Sequence, residues 1–475
     1  MSKKLLLLLS IPVLFVFTAA AQDKWDLKRC VDYAVANNIS VKQADVQARL
    51  AKLTLDQSRL TQIPTLAVSG TVGINSGHTL NQSTYTLSTQ TYLYNSLSAQ
   101  ASVTIFNGFN IQRTIDANRF AWQALLQSTE KLKNDISLNV ANAYLQVLLD
   151  GQTAEVARLQ LKLSQDQLQL TLKQVQAGTL PELNAAELES QVAQDSSNYI
   201  TDKSNTIQAV LSLKAYMDLD AATPFEVDTP PVDQIPIEQL ADLQPDAVYA
   251  LALTHQPLQK MDALQVQSYQ EMVRAANGAM YPTVSLGGSL NSYYLNTPQA
   301  GYSPFTVIDT IGHVAGTNQA VVGESTGYNT FNSKIGYFTQ LNQYFSQSVG
   351  VTVNIPIFNQ GVLRTAYNRS KLNLRNQELQ RDQDNLTLKN NIYQAYTLAV
   401  AALEKFEANK ITVTQTQKSF DFAQKRYNIG MSNTIDLLTN QNNYFNAKVN
   451  LIYAQYDYVF KMKVLEYYKG MGIRL

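Results

Sequence analysis

The sequence predicts a mixed α and β chain with a tandem internal duplication, in which four transmembrane β-strands stand on a long antiparallel α-helical tube. Three observations carry this. The chain matches itself at fixed offsets, four uncharged segments alternate with period two, and two runs of roughly 67 residues lack proline.

The chain opens on MSKKLLLLLSIPVLFVFTAAAQ, with basic Lys3 and Lys4, an apolar run, and small residues Ala19 to Ala21. That order reads as a cleavable signal peptide over residues 1–21, with the mature chain starting near Gln22. No later segment approaches the roughly 18 consecutive apolar residues of a transmembrane helix, so export past the inner membrane is expected. The single cysteine, Cys30, has no partner for an internal disulfide and lacks the preceding run of a lipid-attachment site. It is expected to be a buried thiol. With 37 Lys plus Arg against 37 Asp plus Glu, the formal charge is zero, which excludes the basic footprint of a general nucleic-acid binder. The polar surface is instead rich in Gln, Asn, Ser, Thr and Tyr, which suits water-filled channel walls.

The repeat has two offsets. One of 218 carries Asn38 onto Gln256 and Pro64 onto Pro282; one of 252 carries Ile105-Phe106-Asn107 onto Ile357-Phe358-Asn359, Gly178 onto Gly430, and Leu213 onto Leu465. The difference, 34, places an insertion between the third and fourth strands, where it is expected to face the outside.

The first strand segment puts Leu66, Val68, Val72 and Ile74 on one face and Thr65, Ser69, Thr71 and Asn75 on the other. Its partner, around Leu97 to Ile105, alternates likewise, and the second copy repeats the pattern from Thr283 to Asn291 and from Ser348 to Ile355. An uncharged apolar face backed by hydroxyls and amides fits lipid outside and water inside, although a soluble sandwich alternates similarly. Four strands of about ten residues leave two open edges, so a membrane reading requires several chains to share one barrel, eight strands from two or twelve from three.

A run of roughly 67 residues makes a helix of about 100 Å, and the shorter stretches Glu182–Leu219 and Asp246–Tyr281 add about 57 and 54 Å, so two short columns match one long one. In the second copy Thr434–Gly470 and the N-terminal Asp26–Ile63 supply the same halves. The segment LQLKLSQDQLQLTLKQV alternates like a strand, but Leu168, Leu172 and Val175 keep a helical stripe inside a proline-free run. The expected division is residues 1–21 signal peptide; 22–63 periplasmic helix; 64–106 strand pair with an external loop; 107–219 long helical hairpin with its tip near 178; 220–245 proline-rich equatorial linker; 246–281 periplasmic helix; 282–358 strand pair with an enlarged loop; and 359–475 long hairpin with its tip near 430.

The duplicated layout, Pro64 and Pro282 at the helix-to-strand transitions, the strand ends IFNGFN and PIFNQG, and the tip sequences QAGTLPELN and RYNIGMSNTIDLL resemble the TolC-like outer membrane factor family over essentially the whole mature chain. The resemblance implies a homotrimer with a twelve-stranded barrel in outer-membrane lipid and a helical tube in the periplasm. It also implies that the tips, Gly178, Thr179, Leu180, Pro181, Gly430, Met431 and Ser432, meet a periplasmic adaptor (membrane fusion protein) joined to an inner-membrane pump. The implied function is the exit duct of a tripartite efflux or type I secretion system. The family narrows its channel entrance with acidic side chains, and its usual aspartate matches Asp436. A second aspartate of some members corresponds to Thr439, and the first-copy position is Asn184, so this chain departs from a double carboxylate ring. Asp436 also reads as a solvated residue or helix cap. Val175, Leu183, Ile429, Ile435 and Leu437 extend an expected apolar partner surface around the tips.

No catalytic constellation is found. His78, His255 and His313 lack ligand or triad spacing, SLGGSL and VAGTNQAVVGEST lack the Lys-Ser/Thr pair of a phosphate loop, and Glu187 and Glu189 read as solvated. No cofactor, metal or enzymatic activity is expected. The alternative is a surface-exposed helical stalk, structural or adhesive, which has no need of four uncharged alternating strands; a polysaccharide-processing enzyme ranks third, lacking suitably placed acids.

Overall fold

The computed structural model describes residues 24–81, 86–230 and 235–470, and the expected signal peptide lies outside them. The chain separates into two compact units. One, Leu53–Arg119 with Gln267–Arg375, holds all the strands; the other, Phe120–Val266 with Asn376–Leu475 and the segment up to Lys52, is helical.

Among the described residues six strands form in chain order: β1 (Thr65–Asn81), β2 (Thr86–Phe106), β3 (Thr283–Leu295), β4 (Gln299–His313), β5 (Ala320–Ser333) and β6 (Ser346–Asn354). The main sheet is antiparallel in the order β1-β2-β3-β6, so the two strand pairs lie side by side. Its register sets Val68 opposite Ala99 and Ala99 opposite Leu290, while Ser69 stands opposite Ser98 and Ser98 opposite Asn291. One face is therefore largely aliphatic. The other is a ladder of hydroxyls, with Ser69 and Ser98 joined at 2.7 Å and Ser289 and Ser348 at 2.8 Å. No Lys, Arg, Asp or Glu occurs in these four strands.

The strands depart from the expected ten residues. β1 and β2 run to 17 and 21, absorbing most of the expected loop from Ser76 to Ser96, because its uncharged Ser, Thr, Asn and Tyr residues tolerate an extended backbone and pair across the ladder. β6 stops at Asn354, ahead of Pro356, which lacks an N–H for a ladder. The enlarged loop expected between the third and fourth strands is also ordered: β4 and β5 form a separate hairpin, and helix α7 (Tyr337–Gln343; helices are numbered in chain order) follows. α7 caps the exposed upper edge of β3, where the buried Gln340 amide accepts from the Leu295 N–H and donates to its carbonyl, both at 2.8 Å. A side chain thus takes the place of a neighbouring strand.

The remaining helices are α1 (Leu27–Asn37), α2 (Ile39–Leu60), α3 (Asn110–Gln176), α4 (Glu182–Tyr216), α5 (Pro245–His255), α6 (Pro257–Gly278), α8 (Val362–Asn428) and α9 (Thr434–Lys469). α3 and α8 each have 67 residues. The stretches expected as single helices, Asp26–Ile63 and Asp246–Tyr281, are instead broken at Asn38 and Gln256, positions matched by the 218 offset. At Asn38 the side-chain oxygen accepts from the Ser40 N–H at 2.9 Å and caps the new helix; at Gln256 the following Pro257 forces an extended residue before it.

Two buried apolar clusters hold the helical unit. One contains Ile136, Val140, Ala143, Val147, Leu213, Cys30 and Ala34; the other contains Leu388, Ile392, Ala395, Ala399, Leu465, Val248 and Ala252. Residue by residue, these are the same positions under the offsets 252 and 218. Cys30 is fully buried and its thiol is pushed up to about 12 by that burial. The linker is tied down by cations: Lys214 donates to the carbonyls of Ala221 and Thr223, and Lys463 to that of Pro236. Among its described residues, Leu240–Asp242 form a 3-10 turn.

Gly278, at the end of α6, lies against Gly108 so closely that a Cβ on Gly278 would collide with the Gly108 carbonyl oxygen. Gly278→Ala should therefore sharply reduce the yield of protease-resistant protein in membrane fractions. Gly178→Ala, with open space around it, should stay within twofold of wild type.

Candidate functional site at the helical tips

Both long helices end the same way. The Gly178 N–H donates to Val175 and the Thr179 N–H to Gln174, each at 2.9 Å; the Gly430 N–H donates to Tyr427 and the Met431 N–H to Arg426, also at 2.9 Å. This is the Schellman pattern, with glycine left-handed at φ 72° and 74°. Ile429, Met431, Ile435 and Leu183 are more than half exposed around these turns. Leu437 is not among them: it is 1% exposed, because it faces into the helical packing one turn into α9.

Asp436 lies in the first turn of α9, where the Asn433 side chain accepts its N–H at 2.7 Å. The cap is therefore Asn433. The Asp436 carboxylate is exposed, accepts from the Ser432 hydroxyl at 3.2 Å, and sits where the helix dipole favours an anion. Thr439, also exposed, turns its hydroxyl back to the Ile435 carbonyl. Asn184 is half-buried in the first turn of α4 behind Pro181, which offers no side-chain cap. Ser432 and Asp436 are thus brought together, while Asn184 starts a different helix.

In the sheet unit, Pro64 and Pro282 each immediately precede a strand. The turns before them match: Ile63 N–H to Leu60 and Tyr281 N–H to Gly278, separated by the 218 offset. The sheet's aliphatic face is open, with Val68, Val72, Ile74, Val349 and Val351 each more than 60% exposed.

The helical unit also buries polar groups that the sequence pattern hid. Asp195 accepts from Ser164 at 2.6 Å and from Gln160 and Gln191 at 2.9 Å, and Gln441 donates to Ser164 at 2.9 Å. Burial raises the Asp195 pKa, opposed by those three donors. Asp262 is 1% exposed; burial, and then the charge of Asp384, push it up to about 6. Among the described residues no group of three or more His, Cys, Asp or Glu is placed to hold a metal, and no helix is long and apolar enough to cross a membrane.

Comparison with known proteins gives a consistent picture. The family model described as "Outer membrane efflux protein" matches residues 30–218 and 248–465. "Toxin and drug export protein A" of Aggregatibacter actinomycetemcomitans is 20% identical over 435 residues, covering 91% of this chain and 83% of that protein. "Outer membrane protein TolC" of Salmonella enteritidis is 22% identical over 337 residues, 70% of this chain and 60% of its own. Among solved structures, CusC aligns with a TM-score of 0.76 at 15% identity, covering 94% of this chain and 92% of its own. The outer membrane protein VceC of Vibrio cholerae aligns at 0.74 and 14%, covering 94% and 97%.

The Asp262 pKa gives a test of the helical packing. It is raised above the unfolded value of about 3.9, so the folded state holds the proton more tightly, and this stability is full below about pH 4 and lost as pH rises to about 6. Asp262→Asn should remove that slope, gaining up to ~3 kcal/mol over wild type in chemical denaturation at pH 7 and little at pH 4.

Proposed function

The chain belongs to the outer membrane efflux protein family, and from that premise we propose that three copies form one channel, the exit duct of a tripartite efflux or type I secretion system. It is an outer-membrane protein with a large periplasmic portion, and its relatives are channels. The observation that carries a barrel shared between copies is the main sheet, with an aliphatic face, a hydroxyl face, and unpaired outer edges on β1 and β6; the number three rests on the family. In lipid such edges must be closed by other copies. Three copies give twelve strands, with the hydroxyl ladders lining the water. Equivalent clusters, equivalent helix breaks and left-handed glycines 252 residues apart support the duplication.

In this reading the exposed apolar tips, with Thr179, Leu180, Pro181, Met431 and Ser432 around the two glycines, dock a periplasmic adaptor that joins the duct to an inner-membrane pump. Pro64 and Pro282 mark the passage from tube to barrel. The chain supplies a path and no catalysis. A helical stalk would leave the two-faced sheet without a role.

Replacing both tip glycines with valine strains two exposed left-handed turns by about 1 kcal/mol or more each. Outer-membrane yield should stay within twofold while export and adaptor crosslinking fall at least tenfold. Full export by this variant would remove the tips from docking. Three Asp436 carboxylates around the entrance would attract cations, with Thr439 and Asn184 adding no charge. Asp436→Asn should weaken block by multivalent cations in single-channel recordings severalfold, and unchanged block would set Asp436 outside the lumen.

A further inference from the structure

We infer that β6 pairs with β1 of a second copy in one defined register, Val351 opposite the partner subunit's Val72, and that the start of α8 runs along the end of the partner's α2. This rests on the shared barrel proposed above and specifies its seam.

The register follows from the repeat. Within one chain β2 pairs with β3, Ala99 opposite Leu290. The 252 offset turns β2 positions into β6 positions, and the 218 offset turns β3 positions into β1 positions. If copies succeed one another as the two halves of a chain do, Ala99 becomes Val351 and Leu290 becomes Val72. The pairs that result across the seam agree in kind. Val353, Val351 and Val349 come opposite the partner's Gly70, Val72 and Ile74. Asn354 and Thr352 come opposite the partner's Ser69 and Thr71. Aliphatic meets aliphatic and hydroxyl meets hydroxyl or amide, on the same two faces that run through the chain's own sheet. A slip of one residue would put every pair on the wrong face. Every residue of β6 is exposed, as a strand awaiting a neighbour would be.

The helices below the strands give a second, independent line. Inside the chain, α3 and α6 are joined by polar ties: Arg113 to Glu271 at 3.2 Å and Asn110 to the Ala275 carbonyl at 2.7 Å. The same offsets carry Glu271 to Leu53, Arg113 to Thr365 and Asn110 to Val362, where the ties are lost. Apolar stripes replace them. Along α2, Ile39, Val46, Leu53 and Leu60 recur every seventh residue, and along α8 Leu372, Leu379 and Leu386 do the same, all more than half exposed. Seven-residue spacing on two facing helices is the pattern of a coiled-coil seam. The seam inside a chain is thus polar, and the seam between copies apolar.

Oxidative crosslinking of the full-length protein in outer membranes tests this, with native Cys30 out of reach because it is fully buried. Directly opposite Cβ atoms lie about 4.5–5.5 Å apart, near disulfide range, whereas a residue four further along is about 13 Å away. Val351→Cys with Val72→Cys should link most chains into a covalent trimer, at least ten times the yield of Val351→Cys with Val68→Cys. Leu53→Cys with Thr365→Cys should link the helices. Should the first pair impair assembly, Val349→Cys with Ile74→Cys reads the same register one row on. Equal or better linking by the Val68 pair, in a complex with the mass of three chains, overturns the register and leaves the shared barrel standing. A complex with the mass of one chain and no linking overturns both.

Discussion

A backbone N–H or C=O left unpaired in hydrocarbon costs several kcal/mol, and β1 and β6 each present a row of such groups along an outer edge. Much of the rest of the structure answers this constraint. Within the chain β2 and β3 are paired on both sides, and beyond the first residue of β6, Ser346, the side-chain amide of Gln340 takes over for the last residue of β3. The absence of Lys, Arg, Asp and Glu from all four strands fits the barrel proposed above, in which a charge on the aliphatic face would face lipid. On the opposite face Ser and Thr pair with one another across strands and, in the proposed barrel, keep acceptor capacity for water.

The helical unit solves a different problem. Helices of 67 residues cannot be held by propensity alone, and their burial is concentrated in two clusters with the connecting segment packed against them. Tyr144 shows how the connection is fixed, donating to the Asp228 carbonyl at 2.7 Å while its ring is buried. The Asp195 network adds buried polarity that is specific in geometry: two donors on α3, Gln160 and Ser164, hold the α4 carboxylate, so α3 and α4 can slide past each other only by breaking charged hydrogen bonds. The tip turns are closed by local bonds, from the backbone and from the Thr179 hydroxyl to the Gln174 carbonyl and Arg426 to the Met431 carbonyl, and apolar groups around them stay exposed.

Much of this was legible in the chain before any coordinates. Alternation is local, so the two faces of β1 and β2 could be read from Leu66 to Ile105. A helix end that needs a left-handed residue selects glycine, so Gly178 and Gly430 marked the tips. Constant offsets carried both readings into the second half. What failed was whatever depended on weak or distant signals. The hairpin β4–β5 is rich in Gly, Ser, Thr and Asn, a composition shared by loops and by exposed strands. Leu437 looked like its exposed neighbours Ile435 and Met431, yet helical rotation turns it inward.

The sequence by itself determined the element types, the two-faced strands, the positions of the tips and the repeat, because period, proline and glycine act within a few residues. Only the tertiary structure decided which polar residues are buried. Asp195 and Gln441 sit in helices whose sequence reads as surface, and they are separated along the chain by far more than any local pattern spans. Burial is a property of what packs against a residue: it is the main cause of the raised Asp262 pKa, and the charge of Asp384, on a helix more than a hundred residues away, adds to it.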